Sequence, residues 1–234
     1  MDNCSDGCSC GGKYCAKKVY IFSNLTDTQM EKIASLIRRE KYHKGDTLFS
    51  PGDPADRLYI VNQGSIKVYT LTRDGREQIL YILHNGDFLG DLNLFKKGVT
   101  EYYGTALEDS NICTLHKSDF NDILHENPEI TAKVLEYAYD RITELEKLAQ
   151  TLTTKDVDTR LATLLISLSK NFGIRTKQGI EITFPLSRED MASYLGLTRE
   201  TVSRRLGYFQ DLRVIEMTGT RKILIRDIDA LKEL

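Results

Sequence analysis

The chain has 234 residues, 41% hydrophobic and 28% charged, with a formal net charge of −2 at pH 7, enough for one large or two ordinary domains. No apolar run reaches the roughly eighteen residues of a membrane-spanning helix. The opening MDNCSDGCSC lacks the basic and apolar regions of a secretory signal, so a cytoplasmic location away from membranes is expected. From Lys155 onward 14 Lys and Arg stand against 11 Asp and Glu, a modest basic excess that gains meaning only beside a motif.

Residues 1–18 hold Cys4, Cys8, Cys10 and Cys15, four of the five cysteines, among Gly, Ser and Asp. Such a stretch has almost nothing apolar to bury, so only covalent or metal bonds would order it. Thiolates are soft ligands for iron–sulfur clusters, zinc or copper(I), and they also form switchable disulfides. A structural disulfide fits a reducing compartment poorly.

Thr26 and Gln29 have capping-box spacing, and Met30, Ile33, Leu36 and Ile37 make an apolar stripe, which predicts a helix from Asp27 to Arg39. The period then changes to two. Thr47–Phe49, Arg57–Asn62, Ser65–Leu71, Gln78–Leu83 and Thr105–Leu115 are alternating or β-rich runs separated by Gly-containing turns. Strands at this spacing suggest a small antiparallel jelly-roll barrel over residues 40–118.

Pro128 opens a long helix to about Leu152, in which Leu135, Ala138, Ile142, Leu145, Ala149 and Leu152 recur as a heptad seam. Periodicity alone also fits a single buried helix. In a parallel pair Arg141 and Glu146 occupy g and e and can meet across the interface. Thr154–Phe172 reads as a further amphipathic helix and Glu181–Phe184 as a strand.

Leu186–Phe209, LSREDMASYLGLTRETVSRRLGYF, reads as two short helices around a tight turn. Ala192 is small where the helices cross, Gly196 can take the positive φ of the turn, and Val202 plugs the angle between them. Thr198 can cap the second helix. With Val202, Leu206 and Phe209 inward, Arg199, Glu200, Ser203 and Arg204 share the outer face at the helix's N-terminal end, the end that enters a major groove. Arg suits guanine O6 and N7, and Glu accepts from a cytosine amino group. Val214–Met217 and Lys222–Ile225 form a wing hairpin around Thr218-Gly219-Thr220, with Arg221 and Lys222, like Arg205, as candidate phosphate contacts.

GDTLFSPGDPADRLYIVNQGSIKVY, GDFLGDLNLF and this helix-turn-helix resemble the Crp/Fnr family of bacterial transcription regulators over nearly the whole chain. The resemblance implies an α+β architecture: a Cys-rich segment (1–18), a cyclic-nucleotide-binding-like antiparallel jelly-roll β-barrel as sensor domain (19–127), a dimerisation helix (128–153) and a winged helix-turn-helix (154–234). It also implies a homodimer that reads palindromic DNA and works with RNA polymerase. Cyclic-nucleotide-binding members carry a carboxylate after a glycine-rich turn and, about ten residues on, an Arg-Ser pair for the phosphate. Here Gly86, Gly90 and Asp91 are present, but Glu101 and Tyr102 stand where Arg and Ser would be. A carboxylate there repels phosphate, so cAMP is not expected. Glu200, Ser203 and Arg204 match the Fnr-type face and imply a TTGA-like half-site; Arg199 shifts it toward TGTGA.

The Fnr branch holds an oxygen-labile [4Fe-4S] cluster by N-terminal cysteines and one distant cysteine, and Cys113 sits at the distant position. The expected set is Cys4, Cys8, Cys15 and Cys113, with Cys10 as the alternative to Cys4. A dithiol switch joining the tail to Cys113 competes, and zinc stands third. With no carboxylate at a or d of the seam, a sensor is expected to alter the DNA-binding domains more than dimerisation. A cysteine-based enzyme finds no support in His43, His84, His116 and His125, which form no metal-binding grouping.

Overall fold

The structure, a computed structural model, describes residues 19–90, 98–153 and 156–234. Its contacts gather into two compact units. One contains the described residues through Val68 with Tyr81–Ile142; the other contains Tyr69–Leu80 with Thr143–Leu234.

A 3-10 turn at Tyr20–Phe22 precedes α1 (Asp27–Leu36), whose capping box joins Thr26 and Gln29 as expected. Strands follow in order: β1 (Arg38–Tyr42), β2 (Thr47–Phe49), β3 (Arg57–Gln63), β4 (Ile66–Leu71), β5 (Glu77–Leu83), β6 (Phe88–Leu89), β7 (Tyr103–Ala106) and β8 (Ser110–His116). They form two four-stranded sheets, β1-β8-β3-β6 and β2-β7-β4-β5. An inner core of Phe49, Val61, Ile66, Val68, Leu83 and Ile112 is flanked by Tyr42, Tyr59, Tyr81 and Tyr102. Gly104 is required there, because a side chain on it would collide with the Phe49 ring.

The alternation of β8 assigns its residues to two cores. Ile112 belongs to the inner one. Cys113 and Leu115 belong to an outer core with Val19, Ile21, Phe22, Met30, Ile33 and residues of the helices that follow. Those helices are α2 (Lys117–Glu126) and α3 (Pro128–Thr153). Ile130 and Val134 of α3 are buried in this outer core, and the Tyr137 ring stacks on Phe88 at 4.0 Å.

Three expectations need correction here. The helix predicted to Arg39 stops at Leu36, because Ile37 is already extended and Arg38–Tyr42 pair with Thr114–Ser110 of β8. The run Thr105–Leu115 is two strands, broken where the Leu107 amide donates to Ser65 O and Asp109 accepts from the Lys44 amide. Arg141 does not point across a seam to Glu146. Its guanidinium lies over the Tyr81 ring at 4.0 Å and donates to the Tyr137 hydroxyl at 3.2 Å within the same chain.

In the second unit Asp156 caps α4 (Val157–Phe172), its carboxylate accepting from the Asp158 and Thr159 amides; the start expected at Thr154 lies outside the described residues. Strand β9 (Gly173–Thr176), unforeseen, pairs with β10 (Gly179–Thr183), where a strand is predicted at Glu181–Phe184. Then come α5 (Arg188–Leu195), α6 (Arg199–Asp211), β11 (Ile215–Met217), β12 (Lys222–Ile225) and a short α7 (Ile228–Lys232). The sheet order is β11-β12-β10-β9, so the wing hairpin is part of a four-stranded sheet. No helix among the described residues is long and apolar enough to cross a membrane.

Candidate nucleic-acid interface and sensor residues

Ser187 and Asp190 form a capping box at the start of α5, which fixes where the first helix begins. Ala192 and Met191 are buried, and the chain leaves α5 through Gly196 at φ 63°. At that φ an L side chain would be strained, so glycine permits the turn. The amides of Gly196 and Leu197 both bond to Ala192 O, and Thr198 accepts from the Thr201 amide to start α6. Val202, Leu206 and Phe209 are each 0% exposed.

That packing turns Arg199, Glu200, Ser203 and Arg204 to solvent together, as expected. A contiguous face with two guanidiniums, a carboxylate and a hydroxyl offers both donors and acceptors to base edges. Arg205 and Lys222 are differently placed. Arg205 Nε lies 3.3 Å from Asp158 of α4, and its guanidinium is near the Tyr208 ring. Lys222 Nζ lies 2.8 Å from Glu181 on the neighbouring strand. Both cations thus have a carboxylate partner within the domain. Arg221 stands at the start of the same strand, its backbone carbonyl accepting from the Phe184 amide.

Arg188, absent from the sequence-based set, is the first residue of α5. Its guanidinium donates to the sulfurs of Met191, at 3.8 Å, and of Met217 on β11, at 3.4 Å. Burial pulls its pKa down from the arginine value. A half-buried cation in the first turn of a helix opposes the helix dipole and favours an arriving anion. The usable signal was its position directly after the capping residue of the first helix.

On α3, Leu135, Tyr139 and Ile142 are 59%, 68% and 51% exposed. The expected seam residues Ala138, Leu145 and Leu152 are half-buried, and Ala149 is exposed. The buried stripe of the helix is the other one, through Ile130, Val134 and Leu148.

Cys113 stands mid-strand in β8, in one rung with Arg39 of β1 and Ile60 of β3. It is 4% exposed and shares its core with Val19, Ile21 and Phe22, the first described residues after the Cys-rich stretch. Cys4, Cys8, Cys10, Cys15 and Asp91 lie outside the described residues. Among those described, no group of three or more His, Cys, Asp or Glu could hold a metal ion. Glu101 is exposed, and Tyr102 packs against the inner core.

The model of the cyclic nucleotide-binding domain matches residues 39–127, and that of the Crp-like helix-turn-helix domain matches residues 159–234. The Fumarate and nitrate reduction regulatory protein of Escherichia coli is 31% identical over 232 residues, 98% of this chain and 92% of its own. The chain belongs to the Crp/Fnr family. Another relative in the family, the Anaerobic regulatory protein of Haemophilus influenzae, is 30% identical over 98% of this chain and 90% of its own. FixK2 from Bradyrhizobium japonicum superposes with a TM-score of 0.76 at 25% identity, covering 85% of this chain and 96% of its own. CooA from Carboxydothermus hydrogenoformans, as a double mutant, gives 0.73 at 27% identity over 90% of each chain. As a Crp/Fnr member the chain is a DNA-binding transcription regulator, and the exposed face of α6 is its candidate reading surface.

Proposed function

We propose that this regulator senses oxygen or redox state through its cysteines and binds, as a homodimer, palindromic DNA with TTGA- or TGTGA-like half-sites, acting with RNA polymerase. The observation that carries the DNA half is the shared solvent exposure of Arg199, Glu200, Ser203 and Arg204 on α6. Two such helices about 34 Å apart enter successive major grooves. Arg188 and Arg221 join Arg205 and Lys222 as phosphate-contact candidates; the last two also pair with Asp158 and Glu181, which leaves them further N–H donors for a phosphate.

For the sensor, Cys113 supports the reading by sharing a core with the residues that leave the Cys-rich stretch. A soft donor set of Cys4, Cys8 or Cys10, and Cys15 with Cys113 suits a [4Fe-4S] cluster. Such a cluster, when bound, supplies oxygen-labile iron–sulfide chemistry. The chain's own contribution is to keep Cys113 in an apolar wall and to anchor Val19, Ile21 and Phe22 beside it. The relatives' names, one of them an anaerobic regulator, agree with this sense of signal.

The test is protein purified without air, examined for visible absorption, iron and acid-labile sulfide, then exposed to air. Broad absorption that bleaches, and that Cys113→Ser abolishes, is expected. A colourless, iron-free protein after reconstitution overturns the cluster and favours a disulfide between Cys113 and the tail.

A further inference from the structure

The hairpin stretch Tyr69–Leu80 groups with Thr143–Leu234 in one compact unit, and the reason is visible at the end of α5. A helix leaves its last carbonyls without intrahelical partners. Ala192 O is taken by Gly196 and Leu197, and Leu195 O accepts from Arg160 Nη1 at 3.3 Å. Tyr194 O accepts from Gln78 Nε2, at 3.3 Å, on the hairpin. In return Ser193 Oγ donates to Glu77 O at 2.8 Å. Each element thus gives one side-chain donor to the other's backbone.

The contact extends under the turn between the reading helices. A Cβ on Gly196 would meet Leu152 Cδ2 at 3.4 Å and Gln78 Oε1 at 4.0 Å. Burial, with the Glu144 carboxylate, pushes the Tyr194 phenol up, as a desolvated contact requires. Glu77 and Gln78 begin β5, whose later residues Tyr81 and Leu83 belong to or pack on the inner core of the jelly roll.

We propose that Gln78 and Ser193 are positioning residues for DNA recognition: through them the β4–β5 hairpin clamps α5 and fixes the platform from which α6 presents its reading face. Losing the clamp leaves α5 and α6 folded, because Met191, Ala192, Leu195, Val202 and Leu206 remain buried. It makes their orientation something DNA must impose at binding, at an entropic cost. This rests on the DNA-binding reading; the exchange measurement below does not.

The experiment compares full-length wild type with Gln78→Ala, Ser193→Ala and Ser193→Thr. Amide hydrogen exchange is followed by mass spectrometry on peptides covering 69–80, 157–172 and 188–197, and affinity is measured for a duplex selected from a random pool by the wild type. Either alanine variant should speed exchange in both 69–80 and 188–197 while leaving 157–172 unchanged. Each should weaken the selected duplex about three- to tenfold, the worth of one hydrogen bond, without changing non-specific binding. Ser193→Thr, which keeps the donor, should behave as wild type. Faster exchange confined to the substituted peptide overturns the clamp. Reciprocal exchange with unchanged or tighter DNA binding overturns its role in recognition alone.

Discussion

At the scale of single residues, the cations proposed to meet DNA divide into those exposed to solvent and those paired with carboxylates of their own domain. Arg199 and Arg204 are exposed with Glu200 and Ser203, whereas Arg205 and Lys222 face Asp158 and Glu181. Arg199→Val should therefore relax preference at one base position at a cost of about 1–3 kcal/mol. Site selection from random duplexes that returns the same consensus would overturn that assignment. Arg205→Ala should instead act through the fold, lowering the unfolding midpoint and affecting all duplexes alike. Asp87 yields a pH prediction. Burial raises its pKa, and His84, 3.1 Å away, and Arg141 offset part of the rise. The folded state then holds this proton more tightly than the unfolded chain, so the contribution is present below the unfolded value of about 3.9 and fades as pH rises through the folded one. Asp87→Asn keeps an acceptor for the His84 amide and removes the titration. Relative to it, wild type should lose urea stability as pH rises from about 4; parallel pH profiles would refute this.

At the scale of elements, the helix-turn-helix is legible because its constraints are local. Gly196, Ala192, Val202 and the caps Ser187 and Thr198 each carry their meaning within a few residues. Gly196→Ala tests this: a left-handed backbone costs an L residue about 1–2 kcal/mol, and the nearest atom is in ordinary contact. Thermal melting should show that loss, with Gly196→Asn recovering part of it. Strand β1 is illegible for the opposite reason. Its RREKY is charged on both faces, as suits a sheet edge, and its identity depends on β8, some seventy residues later. The fate of Arg141 is equally non-local: its g position is read from the heptad, but Tyr81 and Tyr137 decide where the guanidinium goes. The contacts of Gln78 and Ser193 run to backbone carbonyls, which no residue type announces.

At the scale of the whole molecule, α3 is the element both units share, 26 residues or about 39 Å. Leu135, Tyr139 and Ile142 remain exposed on it while Ile130, Val134 and Leu148 are buried. This exposed apolar stripe is the surface we assign to pairing with a second copy in the proposed homodimer. Ile142→Glu should place uncompensated charges in that interface, cost about 3–5 kcal/mol, and give monomers by light scattering with loss of palindrome binding. The unsubstituted protein should remain dimeric with and without the proposed cluster; monomers that dimerise only when loaded would overturn the view that the sensor acts beyond dimerisation. The two faces of β8 have a longer consequence. Ile112 lines the inside of the jelly roll and Cys113, one residue on, its outside, so natural variation can alter either wall without moving the strand. A substitution at either position therefore changes one wall of the sheet and leaves the packing of the other as it was.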